Sequence, residues 1–249
     1  MQAYWTLTRR ELAGYFLSLT GYIILAAVMF LLGLSFVYLL DSLRQEPTPM
    51  PLTELFYMTP FFWFILLLST PVITMRLFAL EKFSGTFETL MTAPVSDLQV
   101  VLAKFSAGLA FHIVAWLPLA GCLWAAQYYT NGRAGLDGGA MGSTMLGIFL
   151  LGCMFISLGC CASALTRSQG VAVMLSLVFG VSLFLLSFIA KNSVQSNWLA
   201  QVLSCFALID QMHDFARGVV DTRAVVFYLT LTLFFLFLTL RIVESRRWK

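Results

Sequence analysis

Six long apolar runs constrain this chain more than any other feature of its sequence. A helix needs about 20 residues to cross the roughly 30 Å hydrocarbon core of a bilayer. Backbone N–H and C=O groups in lipid must be satisfied within the segment, so runs of this length must be helical. The chain is 60% hydrophobic and only 11% charged, which is too little charge to cover a water-facing surface. We therefore predict an all-α membrane protein with six transmembrane helices, at about residues 21–40, 56–75, 100–129, 141–164, 171–190 and 224–243.

The N-terminal segment predicts an amphipathic helix. Over residues 1–16, the apolar side chains of Trp5, Leu12 and Phe16 fall on one helical face. A helix of this kind lies in the membrane interface. A frayed cytoplasmic tail is the alternative interpretation of the same residues.

Two connecting segments are predicted to lie outside the spans. Residues 41–54 contain three prolines, which break helices and favour an external loop. Residues 192–223 are too long for a turn and carry apolar residues at helical spacing, which predicts short re-entrant helices at the outer leaflet before the last span. We expect residues 1–249 to form one transmembrane domain.

The distribution of lysine and arginine predicts the orientation of the chain. Ten of the 15 basic residues fall on the side that holds both termini, and five fall on the other side. Cytoplasmic loops carry an excess of positive charge. We therefore expect a multi-pass protein of the bacterial inner membrane with both termini in the cytoplasm.

The segment between the second and third predicted spans carries the sharpest local pattern. A helix is expected over residues 82–92, and it ends before Pro94 because proline disfavours helical geometry at its predecessor. Ser96 then begins the next helix, with Gln99 three residues later in the spacing of a capping box. The apolar face of the first helix consists of Phe83, Phe87, Leu90 and Met91. On these residues alone, a simple interfacial connector is the commoner role for such a helix.

The same segment resembles a known family. The run RLFALEKFSGTFETLMTAPVSDLQVVLAKF, at residues 76–105, is similar to the cytoplasmic segment of ABC-2-type permeases, which contains the helix that docks on the ATPase subunit. SLTGYI at 18–23, RGVVDTRAVVFYL at 217–229 and VESRRW at 243–248 resemble the gliding-motility-associated branch of that family. The resemblance implies that the residues contacting the ATPase are Glu81, Lys82, Phe83, Ser84, Gly85, Thr86, Phe87, Glu88, Leu90 and Met91.

A division of labour follows from that resemblance. It implies a permease subunit, an exporter that couples ATP hydrolysis by a separate ABC ATPase subunit to substrate movement. The implied partners are the ATPase, a second permease subunit of the same or a paralogous kind, the lipid bilayer and an additional periplasmic-facing subunit, with no nucleic acid. The alternative is an ABC-type membrane scaffold that energises an envelope or gliding machine without solute transport.

The chain is not expected to be an enzyme or to bind a cofactor itself. A phosphate-binding P-loop requires Gly-Lys-Ser/Thr, and none of the four lysines follows a glycine or precedes serine or threonine. ATP and Mg are therefore expected on the partner subunit. We find no pattern that indicates a catalytic group, and Asp210, His213 and Asp214 are expected to form a solvated face rather than a metal site.

Polar residues inside the spans are candidates for a transport pathway. His112 is the strongest of these, although a hydrogen bond to a neighbouring helix is the commoner role for a lone histidine, and a proton relay is the rarer one. Lys104 and Arg241 lie near span ends and are expected to extend their charges towards water. The scarcity of fixed charge favours a lipid-like or amphipathic cargo, or a polymer.

The fourth predicted span is rich in small residues, with Gly142, Gly147, Gly152 and Gly159 among them. Small residues let helices approach closely in lipid. Packing within the subunit and packing between two subunits are both consistent with this pattern.

Overall fold

The computed structural model describes residues 2–45, 52–88, 95–129, 138–192 and 206–247. Regular structure within these ranges is helical, and the described residues contain no strand. The helices are α1 (Gln2–Phe16), α2 (Leu19–Gln45), α3 (Leu52–Met58), α4 (Pro60–Thr74), α5 (Ala79–Ser84), α6 (Asp97–Tyr129), α7 (Gly138–Leu165), α8 (Gln169–Asn192), α9 (Leu208–Ala216) and α10 (Thr222–Arg247).

The prediction of an all-α protein with six spans is confirmed. Six segments of the described chain are long and apolar enough to cross a membrane. Their bounds are Leu19–Asp41, Pro60–Ser84, Asp97–Tyr129, Gly138–Leu165, Gln169–Ile189 and Thr222–Ser245. The predicted start of α6 is also confirmed, because Ser96 and Gln99 each accept the other's backbone N–H at 3.3 Å.

The second span differs from the predicted continuous helix over 56–75. The chain breaks at Thr59, which has extended geometry (φ −71°, ψ 139°), and Pro60 begins α4. Proline is favoured in the first helical turn, where its missing N–H costs nothing, and its predecessor is driven out of the helical region. With 15 residues, α4 is only about 22 Å long. The second candidate span therefore includes the residues that follow α4, up to Ser84.

Helix α7 lies at the centre of the bundle. Of its membrane-spanning window, 83% is buried, compared with 28% for α2 and 22% each for α8 and α10. It packs against α4, α6, α8 and α10. Its glycines explain the close packing: a Cβ would lie 2.9 Å from Met212 at Gly147, 2.6 Å from the His112 ring at Gly152, and 2.1 Å from the Thr74 hydroxyl at Gly159. The small residues at these three positions therefore serve packing within the subunit.

Helix α1 forms as predicted, and the residues of its predicted apolar face are not the ones that bury it against the bundle. Trp5 is 68% exposed, while Leu12 and Phe16 are half-buried. The buried side chain is Tyr15, whose hydroxyl donates to the Ile73 carbonyl at 2.7 Å. The face of α1 towards the bundle is thus held by polar contacts with α4 and α6.

Candidate functional site

The predicted ATPase-contacting helix is shorter than expected and begins earlier. Helix α5 runs from Ala79 to Ser84 and is ended by Gly85, whose φ of 76° is left-handed. Glycine adopts this conformation without the steric cost that a side chain imposes, and it commonly follows a helix end. The prediction of one helix over 82–92 is therefore wrong. Residues 86–88 form a separate helical turn, and Leu90 and Met91 lie outside the described residues.

The two phenylalanines of this segment point to different environments, so they do not share one apolar face as predicted. Phe83 is 78% exposed, whereas Phe87 is only 7% exposed. The Lys82 ammonium lies 5.2 Å from the centre of the Phe87 ring and donates to the Ala164 carbonyl at the end of α7. Phe83 is thus available to a partner, together with the exposed residues Ser84, Gly85, Thr86 and Glu88.

The start of α5 is fixed to α7 by one hydroxyl group. The backbone N–H groups of Phe78 and Ala79 both donate to Ser163 Oγ at 3.1 Å. Ser163 Oγ donates in turn to the Met75 carbonyl at 3.3 Å. The first N–H groups of a helix have no partner within it, so Ser163 satisfies groups that would otherwise be buried unpaired.

Four charged residues, which we call the ionic quartet, join α1, α5 and α6. The Lys104 ammonium lies 3.1 Å from Glu11 Oε1 and 3.0 Å from Glu81 Oε2. Arg10 Nη2 lies 2.9 Å from Glu11 Oε1 and 2.7 Å from Glu81 Oε1. The Arg10 contacts are hydrogen bonds, whereas the Lys104 contacts are ion pairs whose angles fall outside those of hydrogen bonds. Each carboxylate therefore bridges both cations.

The expectation that Lys104 extends towards water is wrong. Its side chain is 2% exposed, and its ammonium lies 5.4 Å from the centre of the Phe78 ring. A buried ammonium is retained only where opposite charges compensate its lost hydration, and the two glutamates supply them. Arg241 differs, because its side chain is 64% exposed and pairs with Glu244 at 2.9 Å.

Further contacts attach α1 to its neighbours. Tyr4 donates to Ser106 Oγ on α6 at 2.9 Å, and Arg76 donates to Ser18 Oγ at 3.2 Å. A cleft of about 70 Å³ lies beside these contacts, lined by Glu11, Gly14, Tyr15, Arg76, Leu77 and Leu80. Burial raises the pKa of Tyr15 well above its usual value, so its hydroxyl remains a neutral donor.

His112 lies between α6 and α7 and is fully buried. Its ring nitrogens lie near the Ile148 backbone of α7, a hydrogen-bonding neighbour whose geometry in this structure falls short of a well-formed bond. Trp116 Nε1, on the next turn, is buried without a hydrogen-bond partner in the described chain. The Ile148 backbone on α7 is therefore the group that comes nearest to the hydrogen bond expected between His112 and a neighbouring helix.

A second charged cluster lies at the other end of the bundle. Glu54 on α3 is 2% exposed, and its Oε1 accepts from His213 Nε2 at 2.7 Å and from Arg217 Nε and Nη2 at 3.1 and 2.8 Å. The Arg217 guanidinium holds the pKa of Glu54 below its usual value. We call these three residues the Glu54 clamp.

The clamp corrects two sequence-based predictions. Glu54 belongs to a helix rather than an external loop, and His213 is half-buried against Glu54 rather than part of a solvated face. Asp210 and Asp214 are exposed, and no group of three or more potential metal ligands occurs in the described part of the chain. The sequence carried no signal for the clamp, since α3 and α9 are distant along the chain.

The decisive comparison is with protein families. The family described as ABC-2 family transporter protein matches residues 23–239, which is most of the chain.

The chain belongs to the ABC-2 transporter family.

As an ABC-2 family member, it is a multi-pass membrane protein and a permease subunit of an ABC transporter. Members of this family generally carry no catalytic activity of their own, and they typically act with an ABC ATPase and form dimers. Among curated proteins, none matches the chain. The family match begins after α1, so the ionic quartet joins the matched region to a helix that precedes it.

Proposed function

We propose that this permease subunit is driven by a separate ABC ATPase subunit and exports a substrate across the bacterial inner membrane. In this proposal α5 and both termini face the cytoplasm, in accordance with the excess of basic residues on that side. A second permease subunit, identical or paralogous, completes the pathway, and an additional periplasmic-facing subunit attaches at the opposite side. ATP and Mg belong to the ATPase.

The observation that carries the proposal is the way α5 is built into the bundle. Its exposed aromatic side chain, Phe83, is available for docking, while Ala79, Glu81 and Lys82 are bonded to three other helices. Ser163 and Lys82 connect it to α7, and Glu81 connects it to α1 and α6 through the ionic quartet. A displacement of α5 by the ATPase therefore reaches the whole bundle, because packed helices switch between discrete arrangements rather than deforming continuously.

His112 is the proposed contact of the pathway. Buried polar groups are normally hydrogen-bonded, and an ionisable residue inside a membrane is a functional candidate by default. His112 and Trp116 lie side by side and buried, with ring centres 5.9 Å apart; Trp116 Nε1 has no hydrogen-bond partner among the described residues, and His112 has the Ile148 backbone as its nearest one. Opening of the α6–α7 interface would offer both groups to a passing substrate.

The test of ATPase docking is the substitution Phe83→Asp. Because Phe83 is exposed, the variant is expected to insert and fold normally, while removal of a central aromatic contact weakens ATPase binding by roughly 30-fold or more. The assay is co-purification with candidate ABC ATPases of the source organism.

The matched control is Val220→Asp, which places the same charge at an exposed apolar position (46% exposed) at the end of the bundle that holds α9. It should leave the ATPase bound. Equal recovery of the ATPase with both variants would contradict docking at α5.

The gliding-motility branch supports a second candidate function, a scaffold that energises an envelope or gliding machine. The support is the similarity of residues 217–229 and 243–248 to that branch. The two functions differ in a reconstituted system: an exporter moves solute in an ATP-dependent manner, whereas a scaffold hydrolyses ATP with its partner and moves none of the candidate lipids or polymers offered.

A further inference from the structure

Helix α7 is bonded at both ends to short helices on opposite sides of the bundle. At one end, Ser163 and the Ala164 carbonyl hold α5. At the other end, Ser143 Oγ donates to the Phe215 carbonyl of α9 at 2.6 Å. Gly147 faces the side chains of Met212 and Phe215, where a Cβ would come within 2.9 and 3.1 Å. Both ends of α7 therefore make close, directional contacts with a short helix.

The geometry of α7 suits it to carry displacement between these ends. From Ser143 to Ser163 it extends about 30 Å, which is one hydrocarbon thickness. The other two helices that are more than half buried, α4 and α6, contain Pro71 and Pro118, and proline interrupts the hydrogen-bond ladder and kinks a helix. Helix α7 contains no proline and is the most buried of the candidate spans in the described chain.

Helix α9 is held to α3 by different contacts. The Glu54 clamp joins α3 to His213 and Arg217, and Thr53 Oγ1 donates to the Ala216 carbonyl at 2.8 Å. The clamp uses polar contacts at a partly exposed edge, since the Arg217 side chain is 51% exposed. The α7 contact, in contrast, buries Met212 and Phe215 almost completely. The α3–α9 contact is thus polar and reaches water through Arg217, although Thr53 and Glu54 are themselves buried.

We propose that α5, α7 and α9 move as one body, and that the Glu54 clamp is the joint that opens when α5 is displaced. The inference rests on the proposed function for the source of the displacement. It adds that α9, at the end of α7 opposite α5, is the element that moves on that side of the bundle. Opening of the clamp separates α9 from α3 and leaves α9 attached to α7, while the hydrogen bond from the Ile209 N–H to Ser187 Oγ adjusts or breaks.

The test uses two reporter cysteines in a background whose five native cysteines are replaced by alanine. Thr53→Cys reports on the α3–α9 contact, and Met212→Cys reports on the α7–α9 contact; both native side chains are at most 1% exposed. The measurement is the rate of labelling by a polar maleimide in nanodiscs, which leave both membrane sides accessible.

In the isolated subunit, Glu54→Gln should raise labelling of Thr53→Cys by roughly tenfold or more, as expected for loss of a charged hydrogen bond, and should leave Met212→Cys protected. With the ATPase bound, ATP should produce the same selective increase without Glu54→Gln. Adding Ser163→Ala should lower the labelling gained per ATP hydrolysed, because the link from α5 to α7 is weakened.

The outcomes separate this inference from the proposed function. Equal labelling of both reporters in the Glu54→Gln protein would show that α7 and α9 do not move together. Unchanged labelling of Thr53→Cys would show that the contact between α3 and α9 does not open at the Glu54 clamp. A complex that hydrolyses ATP without exposing Thr53→Cys would also overturn the inference and leave the proposed function standing. If no ATPase binds, the proposed function is contradicted. The Glu54→Gln labelling experiment on the isolated subunit would still test whether the contact between α3 and α9 opens at the Glu54 clamp.

Discussion

Replacement of Lys104 by methionine tests the ionic quartet most directly. Methionine keeps an unbranched apolar side chain and removes the positive charge, so Glu11 and Glu81 are left with Arg10 as the only cation of the quartet, and its side chain is 56% exposed. At about 3 Å and an effective dielectric constant of about 20, each Lys104 pair contributes roughly 5 kcal/mol of attraction. The desolvation of a buried ammonium, several kcal/mol, offsets much of this.

The expected loss is that of breaking a buried ion pair, about 3–5 kcal/mol. For a domain of this size, 1 kcal/mol shifts the melting temperature by about 2–4 °C, so Lys104→Met should lower Tm by roughly 6–20 °C. The assay is thermal unfolding of the purified protein in detergent, followed by loss of the monodisperse species on size exclusion. Arg241→Met is the control, because that exposed ion pair should contribute at most about 1 kcal/mol.

A second substitution separates charge from packing. In the Lys104→Met background, Glu11→Gln restores electrical balance, with Arg10 then facing Glu81 alone. We expect it to recover about half of the lost Tm, which is the signature of coupled charges in a double-mutant cycle. The reasoning is refuted if Lys104→Met melts within about 2 °C of the Arg241→Met control, or if Glu11→Gln lowers Tm further.

Two further predictions concern the bundle core and the clamp. Gly159→Ala should destabilise the protein by about 1–3 kcal/mol through overpacking against Thr74. Gly142→Ala meets no atom within 4 Å and should be neutral or slightly stabilising, because alanine favours the helix more than glycine does. Equal Tm values for the two variants would contradict the packing of α7. Because the folded-state pKa of Glu54 is lowered, its contribution to stability is complete above the ordinary value of 4.5 and is lost as pH falls through the lowered value. The Tm difference between the wild type and Glu54→Gln should therefore persist down to about pH 5 and shrink below about 4.5, and a difference already lost at pH 5.5 would contradict the pairing with Arg217.

The sequence predicted those features that depend on residues close to one another in the chain. The length of the hydrophobic runs predicted the six spans, because a segment in lipid must form its backbone hydrogen bonds within itself and is therefore helical. The capping box at Ser96 and Gln99 was equally local and was found as predicted. The helix at α5 was misjudged because periodicity treats Gly85 as one more helical position, whereas its left-handed conformation ends the helix.

The charged contacts could not be predicted from local sequence patterns, because they join residues far apart in the chain. Lys104 is buried because two glutamates from other helices meet it, and neither is near it in the chain. Glu54 was assigned to a proline-rich loop for the same reason, since its partner Arg217 lies on the far side of the sequence. The ATPase-contacting role of residues 81–91 and the pathway role of His112 stay predictions.

The arrangement of charge in the quartet determines what a separation of α1 from the bundle would cost. Arg10 and Glu11 both belong to α1, and they neutralise one another; Lys104 and Glu81, which stay behind, do the same. Departure of α1 thus divides a neutral group of four into two neutral pairs and strands no buried charge, which would otherwise cost several kcal/mol. The electrostatic cost of such a separation would therefore be the loss of the Arg10–Glu81 and Lys104–Glu11 contacts, with no net charge left on either side.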